Sequence, residues 1–208
     1  NVRIIERAVN DIVITGLTRT RPSVIRKLMK TKPGTAFNEN RWATDRRRID
    51  STQWFESVEA SSRPTGEIGK FDLLLDVKEA RTGLFQFGVA LDPRSRLAGS
   101  VRFSDSNFRG LGQSLGLELR QDAYGSGLSA SIDYVNPYMD SRDTSMAVRV
   151  YSRVNNYFTG SGLGSVSPTD DRFDERRTGA SLSFSRPFRE VYNASLGVSY
   201  ESIRTLNI

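Results

Sequence analysis

Residues 97–120 read LAGSVRFSDSNFRGLGQSLGLELR. Leu97, Gly99, Val101 and Phe103 alternate with Ser100, Arg102 and Ser104. Leu115, Leu117 and Leu119 then alternate with Glu118 and Arg120. A period of two is the mark of a strand, and the Gly-containing link between the runs makes them a hairpin. The same pattern extends both ways. Upstream, Phe85, Phe87, Val89 and Leu91 alternate with Gln86, Gly88 and Ala90. Downstream, the apolar sets are Leu128/Ala130/Ile132/Tyr134, Met146/Val148/Val150, Ala180/Leu182/Phe184 and Ala194/Leu196/Val198/Tyr200. Their partners are mostly Ser, Gly, Asp and Arg. Seven candidate strands result.

Alternation alone also describes a soluble sandwich with one wet face. Two features favour a membrane barrel. The polar faces carry many small residues, as barrel lumens do, and aromatics sit near strand ends at Phe103, Phe108, Tyr134, Tyr138 and Phe188. Seven is odd and below the eight strands of the smallest outer-membrane barrels. The expectation is therefore the N-terminal part of a barrel. The mean hydropathy of −0.45 does not oppose this, because half of each barrel strand faces water.

Composition narrows the chemistry. The 208 residues hold 30 Lys+Arg against 24 Asp+Glu, a net charge of +6, with no histidine and no cysteine. A Ser-His or Cys-His dyad, a zinc site of the usual ligands, a thiol redox centre and a disulfide framework are all excluded. No run approaches the ~20 apolar residues of a spanning helix. Asn1–Asn10 lacks the apolar core of a signal peptide, so the chain reads as a processed product or a piece of something longer.

Residues 1–80 differ from the rest. All five lysines lie there: Lys27, Lys30, Lys32, Lys70 and Lys78. Residues 11–15 form a β-branched strand ending at Gly16. Pro22 suits the first position of a helix, with Ile25, Leu28 and Met29 at helical spacing. Asn38 caps a second helix running to about Thr52, with Phe37 and Trp42 at the two positions of a hydrophobic staple. Residues 55–61 read as a strand, Pro64-Thr65-Gly66 as a turn, and Phe71, Leu73, Leu75 and Val77 as a last strand. The order is β-α-α-β-β, an α+β module, with a boundary near Arg81.

These motifs, in this order and spacing, resemble BamA-type outer-membrane assembly proteins: a POTRA domain joined to antiparallel strands of an incomplete barrel. Residues 2–9 resemble the closing strand of a preceding POTRA. Residues 11–16, Gly34 with Phe37-Asn38, Asp45, and residues 54–58 follow the POTRA pattern. Thr82-Gly83 with residues 85–88 is similar to a first barrel strand. Asn107, Phe108, Gly110 and Gly112 match its first periplasmic turn, Asn136, Pro137 and Tyr138 a later one, and residues 187–193 the next. The domains so read are 1–9 (closing strand or linker), 10–80 (POTRA) and 81–208 (barrel strands).

The resemblance implies a non-enzymatic outer-membrane factor with its POTRA in the periplasm and no cofactor or metal. The implied partners are unfolded outer-membrane proteins, outer-membrane lipids and accessory periplasmic lipoproteins, with no nucleic acid. Two strand edges would pair with clients by β-augmentation. One is the POTRA edge, Phe55, Glu56, Ser57, Val58 and Glu59. The other is the first barrel strand, Leu84, Phe85, Gln86, Phe87, Gly88, Val89, Ala90 and Leu91. The rival readings are a two-partner secretion transporter exporting one dedicated substrate, and a soluble β-sandwich with a basic binding module.

Other features read more plainly. Arg19, Arg21, Arg26, Lys27, Lys30, Lys32, Arg41 and Arg46-Arg47-Arg48 form a basic cluster offset only by Glu39 and Asp45. It reads as a solvated helical face before an acidic-partner or anionic-lipid contact. Gly160–Gly164 lacks the Gly-Lys-Ser/Thr of a phosphate loop. Residues 155–177 read as an extracellular loop whose Asp170, Asp171, Asp174 and Glu175 match no EF-hand spacing.

Overall fold

The computed structural model describes residues 7–91, 97–121, 127–140, 142–159, 171–188 and 192–206. The chain divides into two units. The first runs to Thr82 and also includes Ser106–Gly112; the second comprises Gly83–Asp105 and Gln113–Ile208.

In the first unit, β1 (Ala8–Thr15), α1 (Pro22–Leu28), α2 (Glu39–Asp50), β2 (Phe55–Pro64) and β3 (Lys70–Glu79) follow in the expected order. The sheet order is β1-β3-β2, with β1 parallel and β2 antiparallel to β3. β1 starts three residues before the expected Asp11, because Ala8 and Val9 already pair with Lys70 and Phe71. Pro22 opens α1, which has no side-chain cap. Asn38 caps α2 by accepting from the Arg41 N–H at 2.9 Å. Phe37 packs edge-on against Phe71 at 4.9 Å between centroids, so it anchors on the sheet.

The core follows from the two periodicities. Val24, Ile25 and Leu28 from α1, Trp42 and Ile49 from α2, and Leu73, Leu75 and Val77 from β3 are all buried. Asp45 joins them at 1% exposure, accepting from the backbone N–H groups of Lys30 and Thr31, both at 2.8 Å. Asp45 is therefore not a surface anion offsetting the basic cluster, as the sequence suggested. It ties the chain just beyond α1 to α2.

The second unit is a seven-stranded antiparallel meander: β4 (Gly83–Leu91), β5 (Leu97–Phe108), β6 (Gln113–Gln121), β7 (Leu128–Asn136), β8 (Ser145–Thr159), β9 (Asp171–Phe188) and β10 (Tyr192–Leu206). The sheet is open, with β4 and β10 at its edges. Register sorts the faces. Leu117, Ile132, Val150, Ala180 and Tyr200 form one apolar row across five strands, and Leu115, Tyr134, Val148, Leu182 and Val198 form the next.

One boundary is corrected. Residues 155–159 and 171–177 are not loop. They are paired strand, from Asn155↔Glu175 out to Thr159↔Asp171. Polar composition misled here, because long barrel-type strands remain hydrogen-bonded beyond their apolar band. Asp174 and Glu175 lie on β9, and Glu175 binds Arg177. Among the described residues no group of three potential metal ligands occurs. Asp170 and Gly160–Gly164 lie outside the described residues.

Candidate functional site

The two sequence-predicted pairing segments both lie on outer strands of their sheets. Phe55–Glu59 opens β2, which hydrogen-bonds β3 on one side only, so it is an edge of its sheet. Phe55 and Val58 point into the core, while Glu56, Ser57 and Glu59 are exposed. A register shift between Phe55 and Ser57 accompanies a 2.5 Å ion pair from Lys78 to Glu56. Leu84–Leu91 lies in β4, paired with β5 from Gly83↔Asp105 to Leu91↔Leu97. Its other side has no strand partner among the described residues. Phe85, Phe87, Val89 and Leu91 are exposed, and Phe85 leans on Phe103 across the ladder at 4.8 Å.

The predicted turn at Asn107–Gly112 does more than reverse the chain. It folds as part of the first unit. Asn107 is 2% exposed; it donates to the Thr20 hydroxyl at 2.7 Å and accepts from the Gly112 N–H at 2.8 Å. Arg21 N–H donates to the Gly110 carbonyl at 3.0 Å, and the Trp54 indole donates to the Ser106 carbonyl at 3.1 Å. Gly110 and Gly112 have φ of +68° and +67°. A Cβ at Gly110 would sit 2.0 Å from the Arg19 carbonyl oxygen, and one at Gly112 2.6 Å from the Trp54 ring. Both the left-handed backbone and the close approach demand glycine.

Glu79 completes this clasp. Its carboxylate accepts from the Thr18 hydroxyl at 2.5 Å, the Arg19 N–H at 2.9 Å and the Thr20 N–H at 2.6 Å. Partial burial pushes its pKa up, but these bonds and the Thr20 hydroxyl outweigh it and hold the carboxyl at about 2. Four acceptor contacts to one ionised carboxylate favour the charged form. Reasoning from sequence missed Glu79, Thr18 and Thr20. The Asn-Phe-Arg-Gly-Leu-Gly spacing signals the turn but not its partners, which lie 87 positions away for Thr20.

The second predicted turn is held differently. Asn136 accepts from the Tyr138 N–H at 3.3 Å. Just beyond it, Asp140 accepts from the Thr144 hydroxyl, the Thr144 and Arg142 N–H groups and Arg186. These donors, Thr144 first, hold its carboxyl well below the usual range. Pro187 and Asn193 of the third predicted turn pair with each other at the ends of β9 and β10.

The polar face of the strand sheet is internally neutralised in places. Asp133 pairs with Arg149 directly across β7 and β8. Tyr151 reaches over Gly179 to donate to Glu201 at 2.5 Å, a path that a Cβ at Gly179 would block at 2.7 Å. Arg177 contacts both Glu175 and Glu201.

Comparison with known proteins agrees with this anatomy. Residues 8–80 match the POTRA family model, described as a surface antigen variable number repeat, and residues 107–208 match the Omp85 superfamily domain. Chloroplastic outer envelope protein 80 of Oryza sativa subsp. japonica is 26% identical over 97% of this chain and 30% of its own length. The outer membrane protein assembly factor BamA of Neisseria meningitidis serogroup B is 23% identical over 94% of this chain and 24% of its own length. The crystal structure of BamA from Haemophilus ducreyi lacking POTRA domains 1–3 shares the fold, with a TM-score of 0.74, 23% identity, and coverage of 97% of this chain and 36% of that one. This chain thus spans under a third of the length of these curated relatives. It carries a POTRA module followed by an Omp85-superfamily strand region, and it is homologous to the assembly factor BamA and to outer envelope protein 80.

Proposed function

We propose that this chain belongs to a non-enzymatic outer-membrane factor that inserts barrel proteins. Its POTRA module sits on the periplasmic side and receives unfolded outer-membrane proteins. The first strand of its seven-stranded sheet, β4, then templates their insertion. The observation that carries this reading is the pair of strand edges, β2 and β4, each with a row of backbone groups left without a strand partner among the described residues. Such edges add a further strand by β-augmentation. In lipid every backbone group must be hydrogen-bonded, so a half-inserted client needs an edge to pair with. The client's own folding supplies the driving energy. Outer-membrane lipids surround the strands, and accessory periplasmic lipoproteins complete the machinery in this reading.

The test uses the full-length protein in liposomes. Proline removes a ladder donor and fixes φ. Ala90→Pro in β4 should slow insertion of a model barrel protein and leave capture of that client, unfolded, intact. Ser57→Pro in β2 should weaken capture first. Heat-modifiable migration on gels checks that each variant still folds. Normal insertion by a folded Ala90→Pro protein would remove β4 as the template. Transport of one soluble substrate with no insertion of any client would favour the secretion rival.

A further inference from the structure

The apolar face of the strand sheet changes character toward the 160–170 end. One step beyond the row ending Val150–Ala180–Tyr200 comes Ser152–Thr178–Ser202, and one step further Val154–Arg176–Arg204. Because side chains alternate, Arg176 and Arg204 stand on the same face as the leucines and valines. Ser152, Arg176, Thr178, Tyr200, Ser202 and Arg204 line one cavity of about 420 Å³. No carboxylate is among them. The Arg176 Nε is buried and has no hydrogen-bond partner among the described residues. The Thr178 hydroxyl donates to the Ser152 hydroxyl at 3.3 Å, so the rim holds hydroxyls in reach of one another. On the opposite face Arg149 meets Asp133, and Arg177 meets Glu175 and Glu201; on this face the carboxylate of Asp174, one step beyond Arg176, is fully buried and outside the cavity lining.

We propose that this cavity binds the phosphate of an anionic lipid, clamped by Arg176 and Arg204 and ringed by the hydroxyls of Ser152, Thr178 and Ser202. The proposal rests on reading the apolar rows as lipid-facing. A buried, orphaned guanidinium N–H is costly, and a charge-assisted bond to phosphate oxygen removes that cost. Arginine suits the task because its planar fork grips two phosphate oxygens at once. Every cation of residues 81–208 is an arginine. A lipid fits better than free phosphate, since the cavity adjoins Tyr200 and the exposed Val198. Acyl chains can lie along those rows while the headgroup meets the arginines, as cationic pockets at membrane interfaces do.

The test is lipid retention, read by native mass spectrometry on the full-length protein extracted from mixed phosphatidylcholine–phosphatidylglycerol vesicles. Wild type should retain phosphatidylglycerol over phosphatidylcholine by about tenfold or more. R176Q/R204Q should abolish the preference, and added inorganic phosphate should not displace the lipid. R26Q/K27Q, on the exposed face of α1, should leave retention unchanged. T178V/S202A keeps both charges and should weaken retention by a few-fold; it serves if the double arginine variant does not fold. Equal retention of both lipids by wild type would overturn the site. So would an unchanged preference in R176Q/R204Q, loss through R26Q/K27Q instead, or displacement by inorganic phosphate alone. A protein that inserts no client can still retain the lipid, so this inference and the insertion reading fail separately.

Discussion

Leu73 in β3 and Leu117 in β6 are leucines at alternating strand positions, yet Leu73 is 0% exposed and Leu117 39%. The difference runs through both units. Fourteen of the fifteen buried apolar residues among those described lie between Val9 and Val77, and Val154 alone lies in the strand sheet. The first unit hides its apolar side chains under two helices because its solvent is water. The second leaves them exposed in registered rows, the arrangement that suits a bilayer rather than water. The same two-residue period thus has two meanings, and what covers the apolar face decides between them.

Leu73→Ala should destabilise the first unit by about 2–5 kcal/mol, since it leaves a cavity under α1 and α2. Urea unfolding followed by the fluorescence of Trp42 and Trp54, both buried in that unit, measures it. In the sheet the damaging change is a charge. Ile132→Arg should cost about 2–4 kcal/mol in bilayers if it lies near the midplane. Its neighbour Ser131 points to the other face, so Ser131→Arg should cost much less. Equal costs at the two positions would break the comparison, because alternation would then not separate lipid from lumen.

The clasp sharpens it. Asn107→Ala leaves the Gly112 N–H unpaired in a buried place and should cost the first unit about 1–3 kcal/mol. The tryptophan signal should shift although the substitution lies in the primary sequence of β5. A change confined to the strand sheet would place the turn with the second unit instead. The smallest effect concerns acid. The Glu79 pKa falls on folding from 4.5 to about 2, so its stabilisation is complete above pH 4.5 and is lost as pH drops toward 2. Glu79→Gln should cost about 1–2 kcal/mol at neutral pH and flatten the acid limb between those values. An unaltered acid limb would show that Glu79 carries no such linkage.

Much of this molecule is legible in its residues one after another. The seven strands, the Pro22 helix start, the Asn38 cap and the glycine turn at 107–112 are local signals, set by backbone sterics and hydrogen-bond geometry within a few residues. The strand ends at 155–159 and 171–177 were hidden, because pairing with a neighbour sustains a polar strand that has no periodic signal of its own. Tertiary structure alone decided which partners meet across long separations. It buried Asp45 against the amides of Lys30 and Thr31, and it joined Glu79, Thr20 and Asn107 in one clasp. It also set Arg176 beside Arg204 on the apolar face. Sequence determines the period because each residue carries its own φ/ψ limits and hydropathy. Only the folded chain determines the neighbours, because buried polar groups must find their partners wherever the fold places them.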